Sequence, residues 1–217
     1  MRKVPPPGAP VTARGRRSHA ERTAETREKI IEAVVATIDE LGFRKTTAAE
    51  IAKRAGVTWG AVQHHFGGKD GILAAVLEDS FSRFAERIAA VPSRQGSLEQ
   101  RVSQFVDGAW EHFSSPRYRS TFEILLNHPP GDPDEVPTWQ TEMFRAWDDV
   151  WSRVFGDLGV SRSRTTVIQH YTIAVLAGLA SVQMIEGPVP QLRKPEIALL
   201  KDTLVREFSG DSTGAGR

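Results

Sequence analysis

Residues 46–70 read TTAAEIAKRAGVTWGAVQHHFGGKD. Thr47 and Glu50 stand three apart, the spacing of a capping box, so Thr47 is expected to cap a short helix. Ile51, Ala52 and Ala55 form its inner face, and Gly56 ends it in the positive-φ conformation that a tight turn needs. Thr58 then caps a second short helix running to about His64. Phe66 is apolar, Gly67-Gly68 makes a turn, and Lys69 or Asp70 opens a longer helix to about Ala89. Two short helices across one glycine turn are a helix-turn-helix. Ala52 must be small because the helices cross there, and Val62 faces inward and pins the second helix to the first. Thr58, Trp59, Gly60, Gln63 and His64 are left pointing outward.

The pattern continues as helix on both sides. Before the motif, Ile30, Ile31, Val34, Val35, Ile38 and Leu41 recur at the 3.6-residue period from Thr23 onward, and Gly42 stops that helix. After Pro92, helices are expected at about 97–114, 116–127, 137–158, 162–186 and 193–208, with little β signal. The Pro-rich acidic stretch NHPPGDPDEVP cannot be helical. The fold class is therefore all-α with about nine helices. Residues 1–20 read as a disordered basic arm, 21–70 as the helix-turn-helix unit, 71–91 as a connecting helix, 92–209 as a larger bundle and 210–217 as a disordered tail.

The 217-residue chain is 40% hydrophobic and 25% charged, an ordinary globular composition. It has no cysteine, which removes disulfides, thiolate metal sites and a Cys nucleophile. The absence of cysteine suits a cytoplasmic location. The N-terminus lacks the apolar core of a signal peptide. No unbroken apolar run approaches the roughly 20 residues of a membrane span, so no membrane is expected as a partner. Net charge is only +1, but residues 1–70 hold 13 Lys/Arg against 8 Asp/Glu, and the remainder holds 15 against 19. A basic first third joined to an acidic remainder suits a polyanionic partner for the former.

A helix set in this way can lay its N-terminal residues on base edges in the major groove of double-stranded DNA. Gln63 can bond bidentately to adenine. Trp59 offers an apolar face to a thymine methyl or a sugar, and Gly60 lets the backbone approach closely. The hydroxyls of Thr47 and Thr58, and the helix N-termini they cap, can meet phosphates. Lys69 can reach the backbone from the next helix. Other readings compete. His64 and His65 invite a metal, but adjacent helical residues point about 100° apart and no HExxH pattern surrounds them. Either His could be a general base, but no Ser, Asp or Glu lies at a suggestive spacing. Trp59 could be buried. A helix-turn-helix shape without DNA binding is the strongest rival.

The stretch GFRKTTAAEIAKRAGVTWGAVQHHFGGKDGIL, residues 42–73, resembles the N-terminal DNA-binding domain of the TetR family of bacterial transcriptional regulators. The resemblance spans about Thr23 to Leu77. It rests on the glycine after the first helix, the Thr46-Thr47 pair, Ile51-Ala52, Gly56-Val57, His65-Phe66 and Lys69. It implies DNA contacts from Thr47, Thr58, Trp59, Gly60, Gln63, His64, His65 and Lys69. Gln63 departs from the Tyr common in this family, so that position loses a ring that packs on the DNA backbone. Arg14, Arg16 and Arg17 lie just before the first helix, where a flexible arm can reach an adjacent minor groove; a solubilising tail is the alternative.

For the second part, the resemblance implies a helical bundle that dimerises and encloses a ligand. The helix TWQTEMFRAWDDVWSRVFGDLG carries Trp139, Met143, Phe144, Trp147, Trp151 and Phe155. With Trp110, Phe113 and Phe122 it can build an apolar cavity for a small hydrophobic or aromatic effector. Glu123, His170, Gln169 and Asn127 could orient that ligand. The competing reading is ordinary core. Small residues at Ala174, Ala177, Gly178, Ala180 and Ser181 let another helix approach. With the last helix they can form a four-helix homodimer interface, which calls for a palindromic operator. No cofactor loop, metal cluster or nucleophile–base pair is evident, so no cofactor and no enzymatic activity are expected. The function expected is a ligand-responsive repressor. An architectural DNA-binding protein of the same fold and an all-α enzyme using the aromatic pocket are the alternatives.

Overall fold

A computed structural model describes residues 19–89, 91, 96–127, 138–186 and 193–210, leaving aside the side chains of 138–140 and 142–144. Among the described residues the chain is entirely helical. The order is α1 (His19–Leu41), a 3-10 turn (Phe43–Lys45), α2 (Ala48–Ala55), α3 (Trp59–Phe66), α4 (Lys69–Ala89), α5 (Leu98–Phe113), α6 (Pro116–Asn127), α7 (Thr138–Phe155), α8 (Arg162–Glu186) and α9 (Lys194–Gly210). The proposed arm Arg14, Arg16 and Arg17, most of the acidic loop and the tail lie outside the described residues.

Four boundaries differ from the sequence expectation. The first helix begins at His19 rather than Thr23, with Thr23 Oγ1 donating to the His19 carbonyl (3.0 Å). The α3 helix runs two residues past His64 because Phe66, 9% exposed, belongs to the core. The α7 helix stops at Phe155, before Gly156. The last helix extends to Gly210. The motif's local devices are in place. Gly56 has φ 66°, and its N–H donates back to α2. Thr47 accepts from the Glu50 N–H and Thr58 from the Ala61 N–H, each at 3.2 Å. The reciprocal capping box falls on Ser97 and Gln100, at the start of α5. The α3–α4 corner is closed by Gly71: a Cβ there would lie 1.9 Å from the Phe66 carbonyl oxygen, so no other residue fits.

Among the described residues there are two hydrophobic cores. The first gathers Ile30, Val34 and Ile38 of α1, Ile51 of α2, Val62 and Phe66 of α3, and Ile72, Leu73 and Val76 of α4. It also takes Ile124 from α6, wholly buried. The second is built from α5, α7, α8 and α9 around Phe105, Trp151, Phe155, Leu176, Leu204 and Phe208. The α4 helix belongs to both, since Ile88 at its far end and Phe84 pack in the second. Arg153 of α7 fastens that end by donating to the Ile88 and Ala89 carbonyls (2.9 Å each), which a helix C-terminus leaves unpaired. Buried Arg101 pairs with Asp157 through two bonds of 2.7 and 2.9 Å.

The α8 helix has the expected bounds but is more apolar than the sequence reading allowed. By length and mean hydropathy (1.3) it could cross a membrane. Only 28% of the relevant window is buried. Ile168, Gln169, Thr172, Leu176 and Ala180 face the bundle, while Val167, Tyr171, Val182 and Ile185 are exposed.

Candidate nucleic-acid interface and its links to the bundle

The exposed face of α3 carries Thr58, Gly60, Gln63 and His64. Trp59 is half-buried and packs on the first core, so its indole is partly engaged in holding α3. His65 is half-buried, its ring 5.6 Å from that of His64 and 6.3 Å from that of Phe66. The opposite side of α3 is sealed by fully buried Val62 and by Phe66, over whose ring the Arg27 guanidinium lies at 4.6 Å. Thr47 is exposed at the start of α2. Lys69 is exposed at the start of α4 with its ammonium 5.1 Å above the Phe43 ring. These residues therefore share one end of the molecule. A Cβ on Gly60 would touch only Thr58 Oγ1, at 3.8 Å, so nothing in the fold itself requires a glycine there.

Sequence reasoning passed over Arg44 and Lys45, both exposed in the 3-10 turn beside Thr46-Thr47. Their signal was in the charge count, but no helical period marks a residue in a turn. Among the described residues no group of three or more His, Cys, Asp or Glu comes together to hold a metal.

The α6 helix ties this end to the bundle. Glu123 Oε2 accepts from the Phe43 N–H at 2.7 Å, at the junction between α1 and the motif. Ser120 Oγ donates to the Val35 carbonyl (3.1 Å). Arg117 pairs with Glu32 of α1 and Asp79 of α4, and Arg83 pairs with Asp79 (3.0 Å) and Glu28. Arg117 and Asp79 are largely buried, so this network is less screened than a surface pair.

The residues proposed for an effector do not line one cavity. Trp147 and Trp151 are buried, their ring centroids 6.2 Å apart, in a cluster with Phe84, Phe105 and Phe155. Both indole N–H groups are buried without a hydrogen-bond partner. Phe122 stacks on Tyr118 (6.2 Å). Glu123 is held by Phe43, Asn127 Nδ2 donates to the Glu123 carbonyl, and His170 is exposed on α8, whereas Gln169 is buried. The Met143 side chain lies outside the described residues. Trp110 lines a surface cleft of about 420 Å³ with Arg193, Ile197 and Lys201. Phe113 lines a cavity of about 260 Å³ between α1, α6 and α8. A further polar group sits among the aromatics: His112, buried, 4.5 Å from the Phe84 ring. Burial, with help from Arg87 and Arg117, lowers its pKa to about 4, so the imidazole is neutral. Burial raises the neighbouring Tyr118 hydroxyl to about 12.

Residues 30–76 match the family model "Bacterial regulatory proteins, tetR family". The chain is 39% identical over 89 residues to the HTH-type transcriptional regulator BetI of Escherichia coli O17:K52:H18. That match covers 39% of this chain and 45% of the relative, so the chain spans about half the length of the relatives it matches in sequence. Solved structures match over most of their length. A TetR family transcription regulator from Marinobacter aquaeolei VT8 superposes with a TM-score of 0.66 at 14% identity, over 87% of this chain and 97% of that one. The SmeT–triclosan complex gives a TM-score of 0.56 at 27% identity, over 83% and 90%. Residues 30–76 thus match the helix-turn-helix domain of the TetR family of bacterial regulatory proteins, and the solved structures share the fold of the helical bundle that follows it.

Proposed function

We propose that the chain is a cytoplasmic, non-enzymatic transcriptional regulator that binds a palindromic operator as a homodimer and releases it when a small hydrophobic or aromatic effector binds. The observation that carries this reading is α3 itself. It is anchored by Val62 and Phe66 and leaves Thr58, Gly60, Gln63 and His64 exposed at one end of the molecule. Gln63 is the base reader, and Thr47, Thr58, Lys69, Arg44 and Lys45 meet phosphates. The similarity to BetI, by name a transcriptional regulator, supports DNA as the partner.

The dimer is supported by α8, whose Val167, Tyr171 and Ile185 are 54%, 44% and 85% exposed, with Leu199 of α9 at 62%. Small residues between them, Ala174 and Gly178, let a second copy's helix approach closely. Two-fold pairing would set the α3 helices about one DNA turn, roughly 34 Å, apart. The effector is supported by the unpartnered indole N–H groups of Trp147 and Trp151. A buried donor without an acceptor costs about 1–3 kcal/mol, which an acceptor-bearing ligand would relieve once the packed aromatic cluster opened to admit it. The solved SmeT complex with triclosan shows that this fold can take an aromatic molecule. Release would run through α4 and α6, which share residues with both cores. It requires the ligand to favour one of two arrangements.

Selection from random duplexes at two salt concentrations, followed by sequencing, tests the reading. An enriched palindrome bound by a dimer is expected. Salt-sensitive binding with no enriched sequence would replace it with an architectural role, and no binding would remove DNA as the partner.

A further inference from the structure

The half-open cleft between α1, α6 and α8, walled at one end by Phe113 of α5, has a lining of its own kind. Its walls are Phe113, Pro116, Ala180 and Met184, and its charged groups are Asp39 of α1 and Arg119 of α6. Arg119 is loosely held. It stands 3.6 Å from Asp39 Oδ1 and 3.6 Å from Glu123 Oε1, beyond hydrogen-bond reach of either. Two buried polar atoms on lining residues make no hydrogen bond: the donor Arg119 Nε, whose nearest carboxylate is Glu123 Oε1 at 3.6 Å, and the acceptor Gln183 Oε1. The two serines at the corner are engaged elsewhere: Ser114 and Ser115 donate their hydroxyl protons to the Trp110 and His112 carbonyls, and Ser115 Oγ accepts from the Tyr118 N–H. The cavity thus presents one guanidinium, one carboxylate, one amide oxygen and an apolar wall, with no net charge.

We propose that this seam is a binding site for a small zwitterion, of the free amino acid class, separate from the aromatic cluster. The ligand's carboxylate meets Arg119, its ammonium meets Asp39 and Gln183 Oε1, and its side chain lies on Phe113 and Met184. The volume of about 260 Å³ suits on the order of ten non-hydrogen atoms. A zwitterion can part the loose Arg119–Asp39 pair and give each member a new partner, whereas a molecule with a single charge replaces only one of the two, which is the basis of discrimination. The site is set to report on DNA binding. Drawing Arg119 toward the ligand removes a cation from beside Glu123, the carboxylate that holds the Phe43 N–H at the entry to the motif. The cavity and the uncovered stripe of α8 occupy different sides of that helix, since Ile185 lies about 200° around from Gln183.

The test is titration calorimetry on the full chain without DNA, so that its failure leaves the operator reading untouched. The probes are L-leucine, L-methionine and L-phenylalanine. The controls are 4-methylpentanoate and isoamylamine, which keep the leucine frame and each lose one charge. At least one zwitterion is expected to bind below about 10 mM, with both controls about tenfold weaker or more. Arg119→Gln and Gln183→Leu should each weaken the bound zwitterion about tenfold. Gln183→Leu touches no ion pair, so it keeps the test decisive if Arg119→Gln unfolds. No heat from any of the three probes would reduce the seam to a water-filled gap and overturn the proposal. So would equal binding of the singly charged controls, or unchanged binding in Gln183→Leu.

Discussion

The two cores of this molecule are specified in different ways. The first is assembled from short helices whose ends are fixed locally: Thr47 and Thr58 cap, Gly56 turns, and Gly71 closes the corner on the Phe66 carbonyl. The second is assembled from long helices that meet through side chains far apart in sequence, as when Phe105 of α5, Trp151 of α7 and Phe208 of α9 converge. Local devices are visible in a few consecutive residues. Long-range packing is visible only when the helices have found one another. A surface that reads DNA can therefore be kept constant while the bundle behind it varies, because the two rest on separable sets of residues. Among the described residues only α4 and α6 contribute to both, α6 through Ile124 in the first and Tyr118 against the second.

Breaking that separation gives the largest expected effect. Ile124→Ala removes a side chain that α6 lends to the first core, and should cost about 2–5 kcal/mol. The melting temperature should fall with hydrogen-exchange protection lost in α1 as well as α6. If protection in α1 is unchanged, the two cores are more independent than the packing implies. The second effect is confined to the bundle and depends on pH. His112 is held near pKa 4 when folded and returns to about 6.5 when unfolded, so the unfolded chain binds the extra proton between those values. Stability is then complete above about pH 6.5 and declines by about 3 kcal/mol as pH falls to 4. Chemical denaturation across this range should show the decline, and His112→Phe should flatten that part of it.

Gln63→Ala sharpens the comparison from the other side. It should leave the melting temperature unchanged and cost about 1–3 kcal/mol of discrimination at one operator position. Uniform binding to all sequence variants by both proteins would remove its base-reading role. Thr58→Ala mixes the two effects on a smaller scale, costing about 1 kcal/mol of stability through the lost cap to Ala61. The smallest is Lys69→Ala, which should weaken all duplexes alike and reduce the salt slope by about 1.

The first core was legible because its signals act over three or four residues. Thr47, Gly56, Val62 and the Gly67-Gly68 turn each stand where their chemistry places them. Trp59 was harder to read. A large ring at the start of an amphipathic helix can serve core and surface at once, and this one is half-buried against the first core. The aromatic residues of α7 were visible as a stripe, but a stripe does not say whether it lines a space or fills one. Trp147 and Trp151 fill it. Asp39, Arg119 and Gln183 gave no signal at all. Each is a polar residue on a helix with many, and what brings them to one cavity is the packing of α6 against α1 and α8, which no local pattern encodes. The apolar length of α8 escaped notice because Gln169, His170 and Gln183 interrupt the run without lowering its mean hydropathy enough to matter.

Ile124 also bears on how such a molecule could be recombined. The natural place to cut the helix-turn-helix unit from the bundle is the break after α4, where the helical pattern ends. A cut there would leave the helix-turn-helix unit with a hole that a residue from α6 normally fills, together with an ungripped Phe43 amide and the carboxylates of Glu32 and Asp79 deprived of Arg117. A chimera that joins this helix-turn-helix unit to another bundle would have to bring α6 along, or rebuild its inner face in the recipient, before the two halves could be coupled again.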